Sequence, residues 1–268
     1  DSNVDMRLER LNVLSTPGHA FVIEGTQCRT HFDRVNIVVP ADDVRRIIPC
    51  TADHLHVVGS RGFIKLEDCE FSRGADDCVN LHDCSGFARR IGPQTVRTEN
   101  ARHYVGLPPG TRIELRRADY APSGVVGTVR ESAVVARARG VCDITFAEDV
   151  PDDRGEGFVM FNRAYDTHNV IIRNCRFHDN RARGLLILAR DVTVEGCTFA
   201  HHEMGAVKIE TGYTLDAWSE GYGVSNVVFR NNVFDNVNPS GSNRLHGQRS
   251  VYLGVYMRHD PSSAVTSY

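Results

Sequence analysis

The chain has 268 residues, of which 41% are hydrophobic and 24% are charged, proportions that are ordinary for a globular protein. Its formal net charge of −3 gives no general attraction to nucleic acid or to an acidic membrane surface. No apolar run in the sequence is long enough to span a bilayer. We therefore predict one large domain, or one domain with an insertion, that has neither nucleic acid nor a membrane as its partner.

A short phrase recurs along the chain, in which two alternating apolar residues and a two-residue gap are followed by Cys-x-Phe. The clear copies are Ile64-x-Leu66-x-x-Cys69-x-Phe71, Val170-x-Ile172-x-x-Cys175-x-Phe177 and Val192-x-Val194-x-x-Cys197-x-Phe199. Alternation with a period of two predicts β-strands. Val192 follows Val170 by 22 residues (192 − 170), one coil of a solenoid, so the repeat predicts a parallel β-helix. The alternative is a leucine-rich-repeat solenoid, whose frame of leucine and asparagine is missing.

The step from Ile64 to Val170 is 106 residues (170 − 64), far too long for one coil. Residues 88–160 lose the phrase and carry short apolar alternations between Gly and Pro turns. We predict that they form an inserted small antiparallel β-barrel, between β-helix coils at 1–87 and 161–268. The end of the sequence has no capping helix or polar terminal coil, so we expect either that the chain is truncated relative to a longer protein or that another element covers this end.

The eight cysteines are even in number, which would suit a disulfide framework. Three of them occupy the same position of the repeat, where a small buried side chain fits. No Cys/His pattern with metal-ligand spacing is present. We therefore predict mostly free thiols and no structural metal.

The repeat also serves as a ruler for polar residues. Asp53 and His56 precede Asp77 and Asn80 by 24 residues, which places each pair side by side on neighbouring coils. Asp53, Asp76 and Asp77 should then share one surface, where burial and repulsion raise at least one pKa. Such a cluster suits a metal ion or paired carboxylate chemistry.

Other polar residues converge on the same region. Arg183 falls beside Asp77 in this register, and a planar guanidinium is suited to orient carboxylates or to bind substrate oxygens. Surface charge is the plainer interpretation of both Arg181 and Arg183. Trp218 lies on a long loop, where it would either stack on a sugar or pack the loop down. The predicted catalytic residues are Asp53, Asp76, Asp77, Glu210 and Glu220. The predicted substrate-binding residues are His56, Asn80, His82, Arg181, Arg183 and Trp218.

The ordered set of motifs resembles the α-1,3-galactosidases of glycoside hydrolase family 110. The resemblance rests on Ala52-Asp53-x-x-His56, Cys69-x-Phe71-x-x-x-x-Asp76-Asp77-x-x-Asn80-x-His82, Asn180-Arg-Ala-Arg-Gly184 and Trp218-x-Glu220. It implies an all-β, right-handed parallel β-helix with an inserted small barrel. It also implies a secreted or periplasmic bacterial exo-hydrolase that removes terminal α-linked galactose from glycans by inversion, without a cofactor. His54 stands where the pattern has glycine, and the segment from Glu210 to Trp218 is longer than expected.

Inverting hydrolysis needs an acid and a base about 6.5–9.5 Å apart. An adjacent pair of aspartates is too close to supply both roles. We therefore expect the Asp76–Asp77 pair to work with a carboxylate from another coil, namely Asp53, Glu210 or Glu220, and the sequence does not assign acid and base.

Two other functions remain open from the residues alone. A polysaccharide lyase or uronate epimerase on this fold would hold Ca²⁺ among aspartates and use an arginine as its base. A non-catalytic, carbohydrate-binding β-helix would use the same surface for adhesion.

Overall fold

The computed structural model describes residues 3–43, 45–214, 219–241 and 249–259. The described chain is built from β-strands and two single-turn 3₁₀ helices, Arg102–Tyr104 and Arg137–Arg139. No helix in these ranges is long and apolar enough to cross a membrane. By contacts, the chain divides into two compact units, of which the first takes in the described parts of Asp1–Asp83, Asp166–Glu210 and Gly223–Gly254.

Two sheets, in which neighbouring strands of the first unit run parallel, wind through that unit and make it a β-helix. The first sheet contains ten strands. They are β1 (Val4–Val13), β3 (Cys28–Ile37), β5 (Ile64–Glu67), β6 (Glu70–Ser72), β14 (His168–Arg173), β15 (Arg176–Asn180), β17 (Arg190–Glu195), β18 (Thr198–His202), β21 (Val227–Arg230) and β22 (Val233–Asp235). The two strands of each repeated phrase therefore lie in this sheet.

The second sheet carries the segments that follow the phrase in each coil. Its strands are β2 (Phe21–Glu24), β4 (Leu55–Val58), β7 (Val79–His82), β16 (Leu185–Ile187), β19 (Val207–Thr214), β20 (Ser219–Glu220) and β23 (Val251–His259). Val79 pairs with Leu185, and Leu185 pairs with Val207. The predicted stacking of successive coils is confirmed by this register.

A left-handed residue precedes the cysteine position in each copy of the phrase. Asp68, Asn174 and Gly196 have φ of 53°, 53° and 64°, and they turn the chain between the two strands of the coil. Asp, Asn and Gly tolerate this conformation better than other residues do. The two-residue gap in the sequence phrase is thus the corner of the β-helix.

Apolar ladders fill the interior of the β-helix. Phe71, Phe177 and Phe199 are fully buried, with ring centroids 5.6 and 5.2 Å apart along the row. Phe234 continues this row at 5.1 Å from Phe199. All eight cysteines are free thiols, in agreement with the prediction of mostly free thiols.

The second unit contains a closed barrel of six strands. In barrel order the strands are β10 (Arg112–Arg117), β11 (Pro122–Ala136), β12 (Val141–Phe146), β9 (Thr95–Glu99), β8 (Ser85–Arg90) and β13 (Phe158–Asn162). Neighbouring barrel strands are antiparallel. The predicted fold class, a parallel β-helix with an inserted small barrel, is confirmed.

The second unit also includes chain that lies outside the predicted insertion. It takes in Cys84–Tyr165, Thr211–Tyr222 and the described part of Val255–Tyr268. Gly212 of β19 pairs with Glu220 of β20 in an antiparallel hairpin within this unit. The predicted boundaries at 1–87, 88–160 and 161–268 assign each continuous stretch of chain to one domain. They therefore cannot assign a segment that follows the insertion to the second unit.

Candidate active site

Three carboxylates meet where the chain enters the second sheet. Asp53 lies two residues before β4, and Asp77 lies two residues before β7, whose strands pair with Leu55 opposite Val79. One oxygen from each of Asp53, Asp76 and Asp77 lies within 4.8 Å of the others. Parallel pairing in register therefore creates the acidic cluster, as the spacing of 24 residues predicts.

Asp77 is the most constrained of the three acids. Its side chain is 1% exposed, and Arg183 donates to both of its oxygens, from Nε to Oδ1 and from Nη2 to Oδ2, each at 2.8 Å. The Arg183 backbone N–H also donates to Oδ1 at 3.0 Å. Burial, together with the charges of Asp53 and Asp76, raises the pKa of Asp77 to about 6 against the opposing effect of Arg183.

Asp76 is exposed, unlike its two neighbours. Partial burial and the negative charge of Asp53 raise its pKa, while Arg183 and Arg181 act in the opposite direction. A carboxyl that keeps its proton to higher pH and is open to solvent can donate that proton to a bound substrate.

Asp53 is 5% exposed and has both oxygens oriented by hydrogen bonds. Its Oδ1 accepts the backbone N–H of Asp77 at 3.0 Å, and its Oδ2 lies 2.6 Å from Nδ1 of His56. Nε2 of His56 is in turn 3.3 Å from Nε2 of His82 on the next coil. The two predicted substrate-binding histidines thus form a chain that begins at a predicted catalytic acid.

Three further polar residues of the second sheet lie near the acidic cluster or in the same rows, namely Asn80, Lys208 and Glu210. Asn80 pairs with His56 in the register, is 8% exposed, and its buried Oδ1 has no hydrogen-bond partner among the described residues. Lys208 occupies the same row two coils on and lies 2.5 Å from Glu210. The charge of Glu210 also helps to raise the pKa of Arg183, although burial of Arg183 acts to lower it. Glu210 therefore lies within electrostatic range of the Asp77–Arg183 pair.

Two residues that the sequence analysis did not assign to the site hold the turn that carries the acids. Asn180 is 1% exposed, and its Nδ2 donates to the carbonyl oxygens of Asp76 at 2.6 Å and of Arg183 at 3.0 Å. His54 is fully buried and its Nε2 lies 3.0 Å from the carbonyl oxygen of Ser72. Asn180 lies within the Asn-Arg-Ala-Arg-Gly motif, so the motif could have indicated its place in the site. The sequence around His54 does not indicate its role, because that role depends on a neighbour from the next coil.

Arg181 does not contact the carboxylates. It is exposed and donates from Nη1 to the carbonyl oxygen of Ala75 at 2.6 Å. Together with Arg73, His201 and Glu203 it lines a groove of about 520 Å³, which Ile47 also borders. The groove runs beside the turn that precedes Asp76.

Two further predicted site residues remain, Trp218 and Glu220. Trp218 lies outside the described residues. Glu220 belongs to the second unit, where it pairs with Gly212 and forms an isolated bridge to Cys84. The catalytic and sugar-binding roles given to these two residues stay predictions.

Comparison with known proteins agrees with this architecture. A family model described as a right-handed β-helix region matches residues 127–256. An α-1,3-galactosidase A of Shewanella woodyi is 31% identical over 215 residues, covering 77% of this chain and 34% of the relative. An α-1,3-galactosidase A of Bacteroides fragilis is 26% identical over 236 residues, covering 86% and 38%. An α-1,3-galactosidase B of Akkermansia muciniphila is 29% identical over 197 residues, covering 71% and 24%.

This chain is similar in sequence to α-1,3-galactosidases, and its fold is a parallel β-helix. The resemblance inferred from the motifs is therefore confirmed. The chain spans about a third of the length of the first two relatives named, and the similarity extends over most of the chain itself.

Proposed function

We propose that this chain forms the active site of a glycoside hydrolase that removes terminal α-linked galactose from glycans by inversion. The observation that carries the proposal is the asymmetry of the acidic cluster. Asp53 and Asp77 are buried and held by hydrogen bonds, while Asp76 is exposed to solvent, and the pKa values of both Asp76 and Asp77 are raised. Two carboxyl groups in different environments are what acid–base hydrolysis of a glycoside requires.

Asp76 takes the role of general acid in this proposal. It is open to solvent, and its raised pKa keeps a proton available for the leaving-group oxygen. Asn180 fixes the Asp76 carbonyl oxygen at 2.6 Å, so the turn that presents the acid is held from below. A proton donor held in place in this way contributes about 10²–10⁴-fold to the rate.

Asp53 takes the role of general base. Its Oδ2 lies 2.6 Å from Nδ1 of His56 and its Oδ1 accepts the Asp77 N–H at 3.0 Å, so both oxygens are held in place. Asp53 and Asp76 come from neighbouring coils, with their nearest oxygens within 4.8 Å. This spacing is short for inversion, so Glu210 is the second carboxylate to test as base.

Asp77 and Arg183 act together as a positioning pair. Because Nε and Nη2 of Arg183 both donate to Asp77, the guanidinium is not free to serve as the base of a lyase or an epimerase. The pair instead holds the turn that carries Asp76 and Asp77 against the next coil. This geometry favours the hydrolase over the lyase alternative.

The groove beside Asp76 has room for the sugars that follow the terminal galactose. Its polar lining by Arg73, Arg181 and His201 suits sugar hydroxyl groups, and Ile47 offers an apolar surface. We assign Arg181 to this binding role rather than to chemistry. A glycan substrate is the partner that follows from the proposal, and export from a bacterial cell goes with such a substrate.

The deciding experiment is hydrolysis of a panel of α-linked terminal galactosides, with the anomeric form of the product followed by NMR at early times. We expect release of β-galactose. Release of α-galactose would refute inversion and, given the short spacing of the acids, would favour a retaining mechanism. A failure to release galactose from any member, while the chain is folded, would overturn the assignment.

Two variants separate the candidate bases. Asp53→Asn and Glu210→Gln are each assayed on an activated galactoside with and without azide. Azide should restore turnover only in the variant that has lost its base, because a small anion can then attack in place of the activated water. Restoration in Glu210→Gln alone would move the role of base from Asp53 to Glu210.

A further inference from the structure

Two imidazoles and a carboxylate converge on the outer side of the first two coils. One ligand atom from each of His19, Asp53 and His56 lies within 4.8 Å of the other two. Phe21 pairs with Leu55 on the neighbouring coil. His19 lies two residues before Phe21 and Asp53 lies two residues before Leu55, so His19 and Asp53 are neighbours in the ladder. His19 is exposed, which gives an ion a way in from solvent.

The carboxylate of Asp53 is already oriented toward both rings. Its Oδ1 accepts the N–H of Asp77, and its Oδ2 lies 2.6 Å from Nδ1 of His56 and 3.9 Å from Nε2 of His19. A hydrogen bond to the other oxygen of a carboxylate is the kind of outer contact that orients a metal ligand. The same oxygen thus faces two nitrogen donors.

The two rings are also close to each other. The centroids of His19 and His56 are 4.8 Å apart with planes at 48°. The second nitrogen of His56 lies 3.3 Å from Nε2 of His82, and this contact fixes the orientation of the His56 ring. Ring orientation set by a partner on the far nitrogen is typical of metal-binding histidines.

The donor set selects the type of ion. Two histidine nitrogens and one carboxylate oxygen, with a fourth position open to water, form a common zinc arrangement. Calcium and magnesium prefer sets made only of oxygen. Around a tetrahedral Zn²⁺ with bonds of about 2.0–2.1 Å, ligand atoms stand roughly 3.3 Å apart. To reach this spacing, the 2.6 Å distance between Asp53 Oδ2 and His56 Nδ1 must increase, and the 3.9 Å distance between Asp53 Oδ2 and His19 Nε2 must decrease. Each change is about half an ångström or somewhat more, which side-chain rotation can supply.

We propose that His19, Asp53 and His56 form a binding site for Zn²⁺, and that the bound ion inhibits hydrolysis. The ion neutralises Asp53 and removes its oxygen from the reaction. The inhibitory part rests on the proposed function, since it requires Asp53 to work in catalysis, whereas ion binding does not. No spacing in the sequence shows this site, because its ligands come from two coils that lie 34 residues apart (53 − 19).

Binding is tested on the full chain by calorimetric titration with Zn²⁺ and by the visible absorption of Co²⁺ in four-coordinate geometry. Wild type should bind one ion at this site, and His19→Ala should weaken binding at least tenfold. His201→Ala is the matched control, because His201 pairs with Asp179 at 2.7 Å in a separate cluster and its loss should leave this affinity unchanged. Absence of binding in wild type, or equal binding by His19→Ala, would overturn the site.

The functional part is tested by hydrolysis with added Zn²⁺ and then with a chelator. Wild type should lose activity with zinc and regain it with the chelator, while His19→Ala should keep wild-type activity and resist zinc. Zinc that binds without slowing wild type would refute the inhibitory role. If the chain releases no galactose at all, the proposed function fails, and the titration still decides whether the metal site exists.

Discussion

Arg183 and Asp77 form a two-pronged ion pair across adjacent coils, with Nε and Nη2 each 2.8 Å from a carboxylate oxygen. Asp77 is 1% exposed, and the side chain of Arg183 is 15% exposed. Removing one partner of a buried ion pair leaves the other charge without compensation. The pair therefore ties the acidic turn to the next coil and sets its charge.

Loss of the guanidinium should be strongly destabilising. Arg183→Met is expected to lower the free energy of unfolding by about 3–5 kcal/mol, because it leaves Asp77 buried without its cation. The double variant Asp77→Asn/Arg183→Met should recover part of this loss. Urea unfolding of the single and double variants measures the coupling, and additive losses would contradict a direct pair.

The pH dependence of hydrolysis should report Asp77. Its pKa of about 6 means that the carboxylate is protonated as pH falls through that value, which weakens its hold on Arg183. We expect kcat/KM to fall below about pH 6. In Arg183→Lys the point charge cannot reproduce the two-pronged contact, so this acidic limb should move to higher pH. A limb that stays in place would show that another group titrates.

Asp76→Asn should abolish most of the activity without unfolding the chain. Because Asp76 is exposed, its substitution should change the free energy of unfolding little, while loss of the proton donor should lower kcat by about 10²–10⁴-fold. Asp42→Asn, in an exposed turn, is the control and should hydrolyse normally. Comparable activity in both variants would remove Asp76 from the role of acid.

A second buried acid should govern stability at mildly acidic pH. Asp83 accepts the backbone N–H of Thr167 at 2.9 Å and its hydroxyl at 2.8 Å, and so joins the chain on either side of the insertion. Burial raises the pKa of Asp83 to about 6, above an unfolded value of 3.8. The folded state then binds more protons than the unfolded state between these values, so stability falls as pH rises through this window.

Asp83→Asn should remove this dependence of stability on pH. Relative to the variant, wild type is expected to lose about 2 kcal/mol between pH 4 and pH 6, because each unit of pKa difference corresponds to about 1.4 kcal/mol. Unfolding by urea at pH 4, 5, 6 and 7 measures the difference. Parallel curves for wild type and variant would rule out Asp83 as the titrating group.

His54 and Gly74 should be coupled. A Cβ at Gly74 would lie 2.2 Å from Cε1 of His54, whose ring is fully buried. Gly74→Ala is expected to cost about 1–3 kcal/mol through overpacking. In a His54→Gly background, Gly74→Ala should hardly change the free energy of unfolding, because the obstructing ring is absent. Thermal unfolding of the four proteins tests this, and equal costs in both backgrounds would contradict the contact.

The repeated phrase by itself determined the architecture. Cys69, Cys175 and Cys197 recur at one position with apolar alternation before them, and side chains that alternate in this way bury one face of each strand. Once the coils stack, a fixed spacing becomes a fixed neighbour. The spacing of 24 residues between Asp53 and Asp77 was therefore enough to bring these acids together.

The tertiary structure alone decided how the acids differ. Asp76 and Asp77 are adjacent in sequence, yet Asp76 is exposed, whereas Asp77 is buried and forms the ion pair with Arg183. Exposure and hydrogen bonds set each pKa, and these depend on groups from other coils. The contact of His19 with Asp53 and the contact of His54 with Gly74 have the same origin. Sequence spacing gives the row in which a residue lies, whereas side-chain direction and burial give its chemistry.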